Sequence, residues 1–450
     1  MFLENRKKMN PTKLIVYGYL IIILLGGFLL TLPISSRSGE FTPFIDAVFT
    51  STSTSATCVT GLVVQDTYTY WSGFGQAVIL ALIQVGGIGF MTLGIAVITL
   101  TKRKIGLGQR YAMQESVAAP QVGGIVRMTK FIVSVTAVFE GVGMVLLATV
   151  FCPMAGFWKG IYLAAFHSIS AFCNAGFDLM GFMGKYSSLT AFESDPLVNI
   201  VIMVLIVVGG LGFFVWSDVF HNRLHFRQYR LHSKIVIVTT AVLIIGGALL
   251  ILIFEQKGAV FEGRTAGEQV LISLFQSITP RTAGYNTVDM TLLAGATKML
   301  IICLMLIGGS PGSTAGGMKT TTFTVLFLSI IAEYKKQKSI EGFNRRVDND
   351  TVRHAACVMM LYLILPIAAS MVISGTELLP IGASLFEAAS AIGTVGLSLG
   401  ITPELGGLSE VILILLMFFG RVGGITLILL FADKVTSPPS QMPLERISIG

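Results

Sequence analysis

Residues 269–284 read Gln-Val-Leu-Ile-Ser-Leu-Phe-Gln-Ser-Ile-Thr-Pro-Arg-Thr-Ala-Gly, a weakly apolar stretch that closes on Thr282-Ala283-Gly284. It is too short to cross a bilayer, which takes roughly 20 mostly apolar residues. Three other stretches share its form: 44–61, ending in Cys58-Val59-Thr60-Gly61; 162–176, ending in Cys173-Asn174-Ala175-Gly176; and 381–396, ending in Gly393-Thr394-Val395-Gly396. The closing glycines are 115, 108 and 112 residues apart. Each follows a Phe (Phe49, Phe166, Phe275, Phe386) and a Ser (Ser55, Ser170, Ser277, Ser390). Each also precedes a Gly pair in the next apolar run: Gly86-Gly87, Gly209-Gly210, Gly308-Gly309 and Gly423-Gly424. A period near 110 residues is the mark of an internal repeat.

Around these stretches lie eight long apolar runs, at about 14–32, 77–100, 131–152, 198–219, 235–254, 299–331, 355–374 and 411–431. The chain of 450 residues is 53% hydrophobic and 12% charged, with mean hydropathy +0.79, which excludes an ordinary soluble domain at about 25% charged. The expected fold is an all-α polytopic membrane protein of four fused span, half-helix and span units around a central pore, divided at 1–110, 111–230, 231–346 and 347–450. Of the 31 basic residues, Arg37, Lys159, Lys185, Lys257, Arg264 and Lys298 fall on one side. Arg281, Lys319 and Arg421 fall at membrane depth, and the other 22 share a side with the termini. The positive-inside rule then puts both termini in the cytoplasm of a cell-membrane protein. The net charge of +7 is thereby explained by topology, and no nucleic-acid partner is expected. Cys58, Cys152, Cys173, Cys303 and Cys357 are dispersed, without disulfide or zinc spacing.

A half-helix that stops at membrane depth aims the negative end of its dipole at the pore axis, so four of them favour a cation. The extended residues that follow can turn carbonyls inward to replace an ion's water, and Gly permits the backbone angles this needs. Asp178, near the mouth, adds cation attraction.

At these residues the chain resembles the Trk/Ktr/HKT superfamily of potassium transporters, over nearly its whole length. The resemblance implies a potassium-selective filter whose glycines fall on Gly61, Gly176, Gly284 and Gly396, with K+ held by the backbone at Cys58–Gly61, Cys173–Gly176, Thr282–Gly284 and Gly393–Gly396. It also implies a gate, matched by Gly308-Gly309-Ser310-Pro311-Gly312-Ser313-Thr314-Ala315-Gly316-Gly317. That stretch cannot hold a continuous helix, since Gly costs about 1 and Pro about 3 kcal/mol relative to Ala. Arg421 matches the basic residue that faces the gate in the family, and Lys319 is expected to snorkel to the cytoplasmic boundary. The first span begins near residue 14, so the chain is most similar to the Ktr-type membrane subunit. That likeness implies a homodimer in the bilayer, docked on a cytosolic ring of nucleotide-binding regulatory subunits, with the nucleotide on the ring and no cofactor on this chain.

Three other readings compete with this one. Residues 312–320 approach a phosphate-binding loop, but Met318 stands where Lys is required and no strand precedes it. The five His residues, His167, His221, His225, His232 and His354, form no hydrolytic motif, and a structural hydrogen bond is expected of His167. Glu140, inside a span, is expected to pair with a polar group between helices. The alternative function is an ion-coupled secondary transporter with broken helices and a midplane substrate site. It fits less well, because the four copies all run in one direction.

Overall fold

The structure, a computed structural model, describes residues 11–56, 62–89, 92, 124–223, 225–337 and 339–423. Each of four units opens on a long helix: α1 (Pro11–Thr31), α4 (Ile125–Ala155), α8 (Leu231–Phe254) and α12 (Asn349–Glu377). All four are long and apolar enough to cross a membrane, and only 28–39% of each apolar window is buried inside the protein. The remaining faces carry side chains such as Leu25, Phe28, Val142, Val145, Val242, Leu249 and Met371. A solvated surface rarely presents such continuous apolar faces, and lipid is the solvent that suits them.

A short helix follows each span: α2 (Phe44–Ser51), extended by a π turn at Thr52–Ala56, α5 (Phe157–Phe172), α9 (Ala266–Ile278) and α13 (Ile381–Gly393). Ser51, Ser168 and Ser277 on three of them donate to the carbonyls of Ile23, Glu140 and Ile244 on the preceding span, at 2.8, 2.6 and 2.8 Å. Three residues on from those carbonyls stand Gly26, Gly143 and Gly247, where a Cβ would collide with the same serine oxygens. The backbone approaches closely enough for this bond because no side chain intervenes.

The second helices are α3 (Gly73–Ile88), α6 (Pro196–Leu211), α10 (Gly295–Leu306) and α14 (Gly407–Val422). At 1.5 Å per residue their 12 to 16 residues reach about 24 Å at most, short of the 30 Å hydrocarbon core. The expected span at 198–219 has the length and apolarity to cross only when two helices are counted together, and they are bent against each other. It breaks at Gly212, whose φ of 96° no helix contains, and α7 (Phe213–Asn222) leaves at 95° to α6. The span at 299–331 breaks as expected, with α11 (Thr320–Tyr334) resuming after an irregular loop. The expected spans at 77–100 and 411–431 run beyond the described residues. A hairpin of β1 (Ile340–Gly342) and β2 (Arg345–Val347), with Ile340 opposite Val347, joins α11 to α12.

Register within the units also needs two corrections. A Cβ at Gly86, Gly209 or Gly420 would strike the carbonyl of Ser55, Phe172 or Ile392 on the preceding half-helix. Gly420 thus takes the place in the fourth unit that the sequence assigned to Gly423; Gly424 lies outside the described residues. Ser55 and Ser277 are not equivalent to Ser170, because Ser55 bonds back to the Ser51 carbonyl and Ser277 to the first span.

Candidate functional site

Phe49, Phe166, Phe275 and Phe386 are wholly buried and fix the register of the half-helices. Four residues after each stands a hydroxyl. Those of Ser53, Ser170 and Thr279 donate to the carbonyls of Leu62, Phe177 and Tyr285, at 2.8, 2.7 and 2.6 Å. In the fourth unit Ser390 Oγ accepts from the Gly396 N–H at 3.0 Å. These contacts pin the residue at or just past each expected filter glycine to its own half-helix, supplying partners to a backbone that has no ladder.

Cys58, Val59, Thr60 and Gly61 lie outside the described residues. The other three segments share one backbone shape: Asn174, Thr282 and Thr394 have φ of 55°, 72° and 55°, and Gly176, Gly284 and Gly396 have 68°, 81° and 98°. For a non-Gly residue the left-handed region costs roughly 1–2 kcal/mol, a strain that persists where the surroundings over-determine it. The segments are neighbours. A Cβ on Gly176 would strike Ala283 O, one on Gly284 would strike Val395 O, and Asn174 Nδ2 donates to Thr282 Oγ1 at 3.3 Å. Ala175, Ala283 and Val395 are buried behind them. Gly393 backs onto the Met305 carbonyl of α10.

Gly176, Gly284 and Gly396 open on a cavity of about 770 Å³ lined also by Asp66, Asp178, Glu193, Asp289 and Glu404, against Lys185 and Arg264. Arg264 is neutralised by Glu193 at 2.6 Å, so the mouth is acidic. Asp66 accepts from Thr69 N and Tyr186 N at 2.7 and 3.0 Å, joining the outer loops of the first two units. Burial, and to a smaller extent the charge of Asp66, raise the Asp178 carboxyl to about 7, against the Met180 N–H that bonds its charged form.

On the other side of the segments sits the 308–317 loop. Ser310 N and Thr314 N donate to the carbonyls of Gly210 and Gly209 at 3.0 and 3.2 Å, and Phe213 N donates to Gly312 O at 2.6 Å. Thr314 Oγ1 reaches Phe172 O and Asn174 Oδ1, both at 3.1 Å. Gly308 N bonds Met318 O and Thr320 N bonds Gly309 O, closing the loop's neck. A Cβ at Gly309 would meet the Ala315 and Ser313 side chains, and one at Gly317 the Gly393 carbonyl. Pro311 and Gly316 contribute the carbonyls that face Gly212 and Gly308.

Arg421, half-buried on α14, donates Nη1 to Thr314 O at 3.4 Å, Nε to Tyr19 Oη at 3.2 Å and Nη2 to Gly86 O. Lys319 does not snorkel. Its ammonium turns back to the Ala315 and Gly316 carbonyls at 2.8 and 3.4 Å, where the irregular loop supplies acceptors outside any helix. Glu140 meets Gln84 Nε2 at 3.1 Å and His167 Nδ1 bonds Leu163 O at 2.8 Å, so both polar side chains are internally paired.

The residue that directly follows each register Phe is polar, Thr50, His167, Gln276 and Glu387 in turn; sequence reasoning named His167 and missed Glu387. His167 Nε2 accepts from Leu179 N at 3.4 Å and Glu387 Oε1 from Leu399 N at 3.0 Å; each N–H lies three residues past its glycine. A polar residue after every Phe is the signal that marks the set.

Half-helices ending on glycine segments, an acidic mouth and a loop beneath define a multi-pass membrane protein with a cation pathway. Residues 6–441 match the family described as TrkH, cation transport protein, and the chain belongs to that family. It is 40% identical to the potassium/sodium uptake protein NtpJ of Enterococcus hirae, over 99% of this chain and 98% of that one. It is 36% identical to the Ktr system potassium uptake protein B of Bacillus subtilis, over 96% and 95%. The fold matches the crystal structure of the potassium transporter TrkH from Vibrio parahaemolyticus with a TM-score of 0.73 at 18% identity, covering 96% of this chain and 86% of that one.

Proposed function

We propose that this chain carries potassium into the cell as the ion-translocating membrane subunit of a Ktr-type uptake system, and that it is not an enzyme. The observation that carries the reading is the shared left-handed backbone at Asn174, Thr282 and Thr394 and at the glycines two residues on. Such a backbone lets carbonyls of neighbouring segments turn inward, which is what dehydrates and selects an ion without a charged ring. The four quarters of the filter are Cys58 to Gly61, Cys173 to Gly176, Thr282 to Gly284 and Gly393 to Gly396, one from each of the units 1–110, 111–230, 231–346 and 347–450. Loop 308–317, held by Arg421, closes the inner side. With both termini cytoplasmic, uptake follows the negative-inside potential, worth about 2.3 kcal/mol per charge per 100 mV. A homodimer bound to a cytosolic nucleotide-binding ring completes the system; the basic loops at 221–234 and 335–346, with the basic stretch at 101–110 outside the described residues, offer the charge for that contact.

The test is rubidium and sodium uptake by cells that lack their own potassium uptake and express the full chain, wild type beside Gly61→Ser. Potassium-competed rubidium uptake that loses its preference over sodium in the variant supports the reading. Unchanged preference removes Gly61 from the filter.

A further inference from the structure

Glu387 is wholly buried, yet it serves no ion pair among the described residues. Its carboxylate collects three bonds from one short segment. Oε1 accepts from Ser398 Oγ at 2.6 Å and from Leu399 N at 3.0 Å, and Oε2 accepts from Thr402 Oγ1 at 2.9 Å. These follow the Gly396 N–H bond to Ser390, so the chain from 396 to 402 is laced onto α13 by two side chains. The third unit is built otherwise. Its outer segment is tied sideways, with Asn286 O accepting from Leu189 N and Asn286 N donating to Ser188 Oγ, at 3.0 and 3.2 Å. Tyr285 Oη adds a bond to Phe177 O at 3.0 Å. Gln276, which holds the place of Glu387 there, is fully buried and has neither amide atom bonded.

We infer that Glu387 is a positioning residue for cation selectivity: by holding Ser398, Leu399 and Thr402 it fixes the outer lip of the fourth segment and so the placement of the Val395 and Gly396 carbonyls. A site of this kind must be held within roughly 0.5 Å by locked neighbours, and a carboxylate bonded by three donors is a stronger tie than neutral hydrogen bonds. Removing it takes the acceptor from the buried Thr402 hydroxyl and frees Ser398 and Leu399, which stand half-buried at the cavity, from their common anchor. Gln276, which makes no hydrogen bond among the described residues, has no corresponding hold on the third segment.

This inference rests on the filter reading above, so the test separates the two. Full-length Glu387→Ala, Glu387→Gln, Gln276→Leu and Gly396→Ser are expressed in cells lacking potassium uptake, and the ratio of rubidium to sodium uptake is measured per unit of chain in the membrane. Glu387→Ala lowers the ratio at least tenfold, whereas Glu387→Gln, which keeps the Oε1 acceptor, stays within about threefold of wild type and Gln276→Leu leaves it unchanged. If Glu387→Ala fails to accumulate, the double substitution Ser398→Ala with Thr402→Ala carries the test and lowers the ratio several-fold. A wild-type ratio in Glu387→Ala or in that double variant, beside a lowered one in Gly396→Ser, overturns the role of Glu387 and leaves the filter standing. A wild-type ratio in Gly396→Ser as well overturns both.

Discussion

The glycine segments and the 308–317 loop are both irregular backbone at membrane depth, where every N–H and C=O needs a partner other than water, but they find their partners in opposite ways. The segments are held mostly from within their own unit, by hydroxyls four residues after a buried Phe. The loop is held largely by other units: Gly209, Gly210 and Phe213 of the second and Arg421 of the fourth. An element tied to its own scaffold keeps its shape when the units shift, while one strung between units is released by the same shift. Where their hydrogen bonds end supports the proposal that the segments select and the loop gates.

The largest effect expected follows from the first half of that contrast. Gly284→Ala places a Cβ against Val395 O and Gly396 Cα at a φ of 81°, adding roughly 1–2 kcal/mol of backbone strain to a collision that no flexible side chain can relieve. Rubidium uptake should fall at least tenfold and its preference over sodium should collapse; a variant with normal uptake would break the comparison. Next, deleting 310–316 removes the proposed inner obstruction and the Thr314 bonds to Phe172 and Asn174, while each segment keeps its tie to its own half-helix. Flux should rise about tenfold with selectivity retained, as read from the same two isotopes. Smaller still, Arg421→Ala should raise flux several-fold. Arg421→Gln sharpens the reason: if the charge repels the ion it matches Ala, and if bonding to Thr314 and Gly86 holds the loop it stays near wild type.

How far the sequence disclosed all this depends on what hydropathy and spacing can register. The first spans were legible because α1, α4, α8 and α12 face lipid along continuous apolar runs. The break at Gly212 was not, since the apolar run passes through Gly209-Gly210-Leu211-Gly212-Phe213 without interruption and hydropathy carries no information about φ. The glycines of the segments were legible as a repeat, and the loop through its Gly and Pro. The supporting hydroxyls were misregistered because the distance from hydroxyl to glycine varies between units, from Ser53 to Gly61 against Thr279 to Gly284; a π turn at Thr52–Ala56 takes up part of the excess in the first. Counting from the invariantly buried Phe would have found Ser53 and Thr279, and with them Glu387. Lys319 was misread because sequence gives the depth of an ammonium and not the carbonyls beside it.

The smallest effect lies at the mouth, outside both halves, and tests whether the acidic cavity feeds the segments. Asp178 sits within the cavity beside Asp66, and burial with that neighbour raises its carboxyl to about 7. A raised carboxyl is charged only above that value, so lowering the pH from 8 to 6 neutralises it and removes a charge that draws cations inward. The apparent KM for rubidium should then rise about twofold across that window while the maximal rate holds, because the segments and the loop beneath are untouched. Asp178→Asn should show the higher KM at every pH and lose the dependence. A pH effect of the same size surviving in Asp178→Asn would assign it to another group, and a change in maximal rate would place the titration outside the mouth.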